Sequence, residues 1–132
     1  MIMVDSSVWI DFFNDVSTPQ VDRLIGLIPT QKLLVGDLVL VEVLQGYGRD
    51  REFNQAFRLL NTMPVILISD QTIAVQAARH YRILRALGIT VRKTIDNLIA
   101  TRCITDGHSL LYSDKDFDPF VAHLGLATAM AE

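Results

Sequence analysis

Short apolar runs alternate with amphipathic segments along the whole chain. The runs predict strands at residues 1–5, 33–35, 65–68 and 110–112, and a weaker strand at 122–127. Between them apolar residues recur every three or four positions, the spacing of a helix with one buried face. This alternation predicts an α/β domain with a mainly parallel sheet of four to five strands and helices on both faces.

Residues that favour helix starts and ends sharpen this prediction. The expected helices cover residues 8–14, 19–28, 38–45, 50–61, 71–86, 95–105 and 116–122. Their predicted N-caps are Ser6 or Ser7, Thr18, Asp37, Asp70 and Thr94, because short polar side chains accept hydrogen bonds from the first free backbone N–H groups. Nothing resembling a linker interrupts the pattern, so we expect one domain over residues 1–132.

Four acidic residues lie where a solvated charge is not expected. Asp5 ends the first apolar run, Glu42 interrupts the apolar segment 38–44, Asp96 lies in the segment 94–100, and Asp114 follows the fourth strand. A carboxylate beside apolar residues costs free energy unless it is paired or binds a metal. Asp5 and Asp114 also follow strand carboxyl ends, where ligands bind in α/β folds.

Each acid taken singly has a simpler explanation. Asp5 and Asp114 could cap helices, Glu42 could point to solvent, and Asp96 could gain from the dipole of its helix. Taken together, four carboxylates predict an all-oxygen site for a hard divalent cation such as Mg²⁺ or Mn²⁺. Without metal they would repel one another, so at least one pKa should be raised.

The segments that carry these acids resemble those of a known family. They read VDSSVWI at 4–10, LVEVLQG at 40–46, TIDNLIA at 94–100 and LLYSDKDF at 110–117. In this order they are similar to the motifs of PIN-domain ribonucleases, and more narrowly to the VapC toxins of bacterial toxin–antitoxin pairs. The resemblance covers essentially the whole chain. It implies a three-layer α/β/α sandwich of the PIN type.

The resemblance also implies an activity and its residues. We expect a Mg²⁺- or Mn²⁺-dependent endoribonuclease that cuts transfer, ribosomal or messenger RNA and thereby inhibits translation. The family's catalytic and metal-binding acids correspond to Asp5, Glu42, Asp96 and Asp114. Four neighbours are expected to orient the carboxylates or metal-bound waters, or to add a ligand: Ser6, Asn97, Ser113 and Asp116.

Partners follow from the same resemblance. A VapB-type antitoxin is expected to cover the active site, and a homodimer is expected. The aromatic residues Trp9, Phe12 and Phe13 could be core or could line a partner groove. For RNA contacts, Arg92 and Lys93 precede the Asp96 segment, and Arg82 lies in a row with Arg79 and Arg85. Those three could equally form a solvated helix face.

The composition and net charge of the chain limit the classes of protein to which it can belong. The net charge of −3 is not that of a strongly basic nucleic-acid binder, although clustered cations can coexist with an acidic pocket. Cys103 is the only cysteine, which excludes an internal disulfide and predicts a buried side chain. No apolar run is long enough for a membrane span, and no signal peptide precedes the first strand, so a cytoplasmic protein is expected.

Other acid-bearing α/β classes match less well. An aspartyl-phosphate phosphatase needs a second Asp two residues after the first, but Ser6 and Ser7 follow Asp5. A receiver domain normally has adjacent acids near its first strand, and residues 1–5 lack such a pair. A non-catalytic RNA-binding scaffold with the same fold stays open as the alternative to a nuclease.

Overall fold

The structure, a computed structural model, describes residues 1–130 as five parallel strands and seven α-helices. The strands are β1 (Ile2–Val4), β2 (Leu33–Gly36), β3 (Val65–Ile66), β4 (Ser109–Leu111) and β5 (Ala127–Thr128). They are hydrogen-bonded in the order β3-β2-β1-β4-β5. The predicted α/β class and parallel sheet are therefore confirmed. The predicted domain end at residue 132 lies outside the described residues.

Two α-helices follow each of β1, β2 and β3, and one follows β4. They are α1 (Ser6–Phe13), α2 (Pro19–Leu27), α3 (Asp37–Leu44), α4 (Asp50–Leu60), α5 (Gln71–Ala86), α6 (Thr94–Asp106) and α7 (Asp118–Leu124). Single 3-10 turns lie at Ile28–Thr30 and Lys115–Phe117. Among residues 1–130, no helix is long and apolar enough to cross a membrane.

The central strands carry almost uninterrupted apolar side chains because helices cover the sheet. Met3, Val4, Leu110 and Leu111 are fully buried, as expected for parallel strands that are covered on both faces. Cys103 of α6 is buried with them, as predicted. The core is therefore built around β1 and β4.

The strand order reverses between β1 and β4. From β1 the chain extends the sheet through β2 to β3, and it later returns to place β4 on the other side of β1. The carboxyl ends of β1 and β4 therefore meet at a switch point, where α/β folds bind ligands. The backbone N–H of Asp5 donates to Leu111 O at 2.8 Å, which holds the two strand ends together.

Several predicted boundaries and caps were wrong. The first cap is Asp5 and not Ser6 or Ser7, because the Asp5 carboxylate reaches the N–H of Ser7. Asp37 and Thr94 are the first residues of their helices, and Gly36 and Lys93 hold the cap positions. The third strand stops at Ile66, and residues 122–124 belong to α7. Thr18 and Asp70 cap α2 and α5 as predicted.

Helical spacing of apolar residues does not always correspond to burial in the structure. Phe53 and Phe57 of α4 are 38% and 42% exposed, and only Ala56 and Leu60 of that helix are buried. On α5, Tyr81 is exposed and the neighbouring His80 is buried in its place. A buried imidazole needs partners from another element, which helical spacing cannot reveal.

Candidate active site

Asp5 lies at the carboxyl end of β1 and is only 3% exposed. Its Oδ2 caps α1 and accepts hydrogen bonds from the Ser7 hydroxyl at 2.6 Å and the Ser7 N–H at 3.3 Å. Its Oδ1 is buried without a hydrogen-bond partner. Burial raises the pKa of this carboxyl, and the bonds from Ser7 oppose the rise. The capping explanation therefore accounts for one oxygen of Asp5 and leaves the other without a partner.

Asp96 lies in the first turn of α6 and is 6% exposed. Its Oδ2 is also buried without a hydrogen bond, and the Lys93 ammonium lies 4.0 Å from it. Burial raises the pKa of Asp96 to about 7, and the negative charge of Asp5 adds to the rise. A favourable interaction with the helix dipole does not explain why Asp96 is buried, lacks a hydrogen bond at Oδ2 and has a raised pKa.

Asp114 and Asp116 follow β4 and complete a group with Asp96. Asp114 Oδ1 accepts the Asp116 N–H at 2.9 Å, and Asp114 Oδ2 accepts a hydrogen bond from Lys93 Nζ at 3.0 Å. These bonds, first that from Asp116, lower the pKa of Asp114. One carboxylate oxygen from each of Asp96, Asp114 and Asp116 lies within 4.8 Å of the others. This spacing allows the three side chains to share one cation.

Glu42 reaches the site from α3. Its Oε1 accepts a hydrogen bond from the Ser6 hydroxyl at 3.1 Å. Partial burial raises the pKa of Glu42, and the negative charge of Asp5 contributes. Asp96 likewise interacts with the charges of Asp5, Asp114 and Glu42. The fold therefore brings all four predicted acids into one electrostatic group.

These residues fit a divalent metal. All donors are hard carboxylate oxygens, the ligands that Mg²⁺ and Mn²⁺ prefer. Buried oxygens without hydrogen bonds are rare in proteins and costly. A cation would bind the oxygens of Asp5 and Asp96 that lack hydrogen bonds. It would also offset the cost of burial and the repulsion from Asp5, which together raise the pKa of Asp96.

The predicted supporting residues divide into two groups. Ser6 bonds Glu42, and Asp116 joins the carboxylates. Asn97 does not join them: its side-chain amide donates to Ala77 O at 2.9 Å and its oxygen accepts from Thr101. Ser113 is exposed, and its hydroxyl makes no hydrogen bond within residues 1–130.

The sequence pattern predicted Ser7 only as a possible helix cap, and its hydrogen bond to the Asp5 carboxylate was not predicted. The available signal was its position two residues after an acidic cap, from which a hydroxyl can reach back to the carboxylate.

The basic residues predicted to contact RNA lie on two different parts of the surface. Arg92, Lys93 and Lys115 line one cleft together with Asp96 and Asp116. Arg82 lies with Arg79 on an exposed part of α5 that lines a different depression. The cleft beside the carboxylates therefore includes Arg92 and Lys93 of the predicted RNA contacts, and Arg82 is not part of it.

Comparison with known proteins agrees with this geometry. The family model described as "PIN domain" matches residues 2–120. The VapC ribonuclease Mb1587 of Mycobacterium bovis is 31% identical over 121 residues, which cover 89% of this chain and 90% of that protein. The chain belongs to the VapC ribonucleases of the PIN family.

Solved structures support the same fold for this VapC family member. A toxin–antitoxin complex from Klebsiella pneumoniae contains a chain with a TM-score of 0.73 and 19% identity, covering 97% of both chains. VapBC2 from Rickettsia felis, bound to a DNA fragment from its promoter, gives a TM-score of 0.71 and 18% identity, again covering 97% of both. At these identities the likeness shows the fold, and the predicted PIN-type sandwich is confirmed.

Proposed function

We propose that this VapC family member is a Mg²⁺- or Mn²⁺-dependent endoribonuclease that acts as a toxin by cutting RNA and blocking translation. The observation that carries the proposal is the pair of buried carboxylate oxygens on Asp5 and Asp96 that have no hydrogen bond. They lie at the switch point of the sheet in a group with Asp114 and Glu42. A non-catalytic RNA-binding scaffold would gain nothing from carboxylates that repel phosphates.

The chain's own residues would hold and orient the metal. Asp5, Asp96, Asp114 and Glu42 would supply oxygens, and Asp116 lies close enough to add one. When bound, the metal would lower the pKa of a coordinated water and neutralise charge on the scissile phosphate. Ser7 fixes the direction of the Asp5 carboxylate, and Ser6 fixes that of Glu42. Asp96 must lose its proton before it can bind a cation.

RNA would approach through the cleft beside the carboxylates. Arg92 and Lys115 are exposed on its walls and could pair with phosphates on either side of the cleaved bond. Such contacts position the backbone without reading its sequence. The cations also offset the acidic site, which explains how a chain with a net charge of −3 could bind RNA.

We also propose a VapB-type antitoxin as the partner. Trp9 is core, but Phe12 and Phe13 are only partly buried, and Phe13 packs edge-on against Tyr47 with ring centroids 6.4 Å apart. Phe53 and Phe57 remain exposed on α4. An aromatic surface of this kind suits a helical or extended partner segment. Structures of similar fold were solved as toxin–antitoxin complexes, which supports this partner.

A homodimer is proposed on a separate surface. Val75, Ile83 and Leu87 are exposed on or just after α5, each close to half accessible or more. Size-exclusion chromatography with light scattering would measure the mass of the purified chain, and a monomer at micromolar concentration would reject the dimer.

The nuclease proposal is tested by incubating antitoxin-free protein with total RNA and Mg²⁺ or Mn²⁺. Discrete fragments should appear, and EDTA should abolish them. Asp5→Asn and Asp96→Asn should remove cleavage, whereas Asp106→Asn, on the same helix as Asp96 but paired with Arg102, should not. RNA binding without cleavage by folded, metal-loaded protein would favour the scaffold alternative.

A further inference from the structure

The amino group of Lys93 lies among the same carboxylates that form the candidate metal site. Its Nζ is 3.0 Å from Asp114 Oδ2, 3.9 Å from Asp116 Oδ2 and 4.0 Å from Asp96 Oδ2. These three side chains are the group whose oxygens approach within 4.8 Å of one another. The ammonium therefore supplies positive charge to three carboxylates that would otherwise repel one another.

Lys93 is held there by charge more than by packing. Its side chain is 58% exposed, and it extends from the cap position of α6, where no side chain caps the helix. Ion pairs of an exposed lysine are worth little, about 0–1 kcal/mol each. A divalent ion carries twice the charge and binds several oxygens at once, so it can displace the ammonium.

After displacement from the carboxylates, the Lys93 side chain could contact a ligand in the neighbouring cleft. The side chain also lines the cleft that contains Arg92 and Lys115. Neither of these two residues forms an ion pair within the described part of the chain, residues 1–130. Lys93 released from the carboxylates would be the third cation of that cleft, facing a polyanionic ligand.

We propose that Lys93 is a built-in counter-ion that competes with the divalent metal for Asp96, Asp114 and Asp116 and is released by metal binding to contact an RNA phosphate. The competition with metal follows from the contacts alone, and the RNA contact rests on the proposed nuclease function. The two binding events are then coupled: metal increases the affinity for RNA by freeing a cation, and RNA increases the affinity for metal equally.

The first test measures metal binding without RNA. Mn²⁺ is titrated into metal-free wild type, Lys93→Gln and Arg92→Gln, with free Mn²⁺ followed by electron paramagnetic resonance. Loss of the competing ammonium should tighten Mn²⁺ binding by Lys93→Gln roughly three- to tenfold. Arg92→Gln removes the same charge from the adjacent residue and should change the affinity less than twofold. Equal affinities for wild type and Lys93→Gln, or an equal gain in both variants, would overturn the proposal.

The second test measures the release of Lys93 to RNA. Binding of a short single-stranded RNA is followed at several salt concentrations, with Ca²⁺ or with EDTA, and gels verify that the RNA stays intact. With Ca²⁺, the slope of log K against log salt should be about 0.7 smaller in magnitude for Lys93→Gln than for wild type. With EDTA the two slopes should agree. A slope difference that is the same in both conditions would overturn the release by metal.

Failure of this inference is distinguishable from failure of the nuclease. Absence of RNA cleavage would leave the Mn²⁺ comparison intact, because that experiment contains no RNA. Conversely, an active nuclease whose Lys93→Gln variant binds Mn²⁺ no better than wild type would reject the counter-ion role alone.

Discussion

Helix α6 carries two buried polar clusters that differ in how completely their atoms are paired. At its first turn, Asp96 Oδ2 has no hydrogen bond and the carboxyl has a pKa of about 7. In the other cluster each side chain has a hydrogen-bond partner. Asn97 donates to Ala77 O, Thr101 donates to Asn97, and a hydrogen bond of 2.9 Å joins Thr101 to His80 Nδ1.

The complete cluster also fixes the state of its histidine. The Thr101 hydroxyl donates its hydrogen bond to Asn97 Oδ1. Its oxygen therefore accepts the hydrogen bond from His80, whose Nδ1 must carry a proton. His80 Nε2 is then free to accept from the Gln76 amide at 3.1 Å. The imidazole is therefore neutral, and burial lowers its pKa. This arrangement ties α5 to α6 and gives each of the side chains of Asn97, Thr101 and His80 a hydrogen-bond partner within the protein.

Hydrogen-bonded buried groups of this kind stabilise the fold. A buried carboxylate without hydrogen bonds needs a separate explanation, and a bound cation is the one that suits a group of several carboxylates. By this criterion the Asp96 cluster is the site and the Thr101 cluster is a support. Substitutions in the two clusters should therefore have different effects on cleavage and on stability.

Asp96→Asn should reduce metal-dependent RNA cleavage by roughly a hundredfold or more, because it removes a charged ligand and not merely its orientation. The rate of fragment formation at saturating Mg²⁺ measures this. Thr101→Val serves as the control on the same helix and should keep cleavage within a few-fold of wild type once its folding is verified. Comparable losses in both variants would contradict the division.

Thr101→Val should instead lower the free energy of unfolding by about 1–3 kcal/mol, because it leaves Asn97 and His80 with buried atoms that lack partners. Urea denaturation of the metal-free protein measures the change. In the same assay at pH 8, the Asp96→Asn variant should have a free energy of unfolding no lower than that of wild type. If Thr101→Val unfolds like wild type, the paired cluster does not have the supporting role assigned here.

Ser7→Ala should weaken metal binding by about tenfold, because the hydroxyl orients Asp5 and lowers the pKa that burial raises. Calorimetric titration with Mn²⁺ gives the affinity. Ser113→Ala, an exposed hydroxyl without hydrogen bonds within residues 1–130, is the matched control and should bind Mn²⁺ like wild type. Unchanged binding by Ser7→Ala would remove Ser7 from the site.

The pH dependence of stability should have a defined sign at Asp96. Its folded pKa of about 7 lies above the ordinary value of 3.8, so the folded state binds the proton more tightly than the unfolded state. The contribution to stability is complete below about pH 3.8 and is lost as the pH rises through 7. Metal-free Asp96→Asn should therefore melt higher than wild type at pH 8, by roughly 4 °C or more, and show a smaller advantage at pH 5. Thermal melts followed by circular dichroism give the two melting temperatures. A difference between Asp96→Asn and wild type that is as large at pH 5 as at pH 8 would contradict the raised pKa of Asp96.

Much of the fold could be predicted because parallel strands and capped helices leave local signals. The apolar runs before Asp5 and Asp114 placed both acids at strand ends, and these ends meet at the switch point. The unusual apolar surroundings of all four acids predicted one cation site, and the family resemblance then implied its activity. What could not be read from local pattern was the direction of each side chain across elements.

Asn97 illustrates that limit. Neighbouring residues of a helix point about 100° apart, so a side chain next to Asp96 faces away from the carboxylates and towards α5. Lys93 shows the converse: it was expected to contact RNA, yet its amino group donates a hydrogen bond to Asp114 in the structure. Phe53 and Phe57 follow a helical apolar spacing but cover no core, because an apolar face can equally serve a partner.

The carboxylates around Asp96, and not the hydrogen-bonded cluster around Thr101, should bind the metal. Calorimetric titration of Mn²⁺ into wild type, Asp96→Asn and Thr101→Val at pH 7.5 distinguishes the two clusters. Asp96→Asn should lose binding, and Thr101→Val should bind within about threefold of wild type. Binding by Asp96→Asn with wild-type affinity would contradict this prediction.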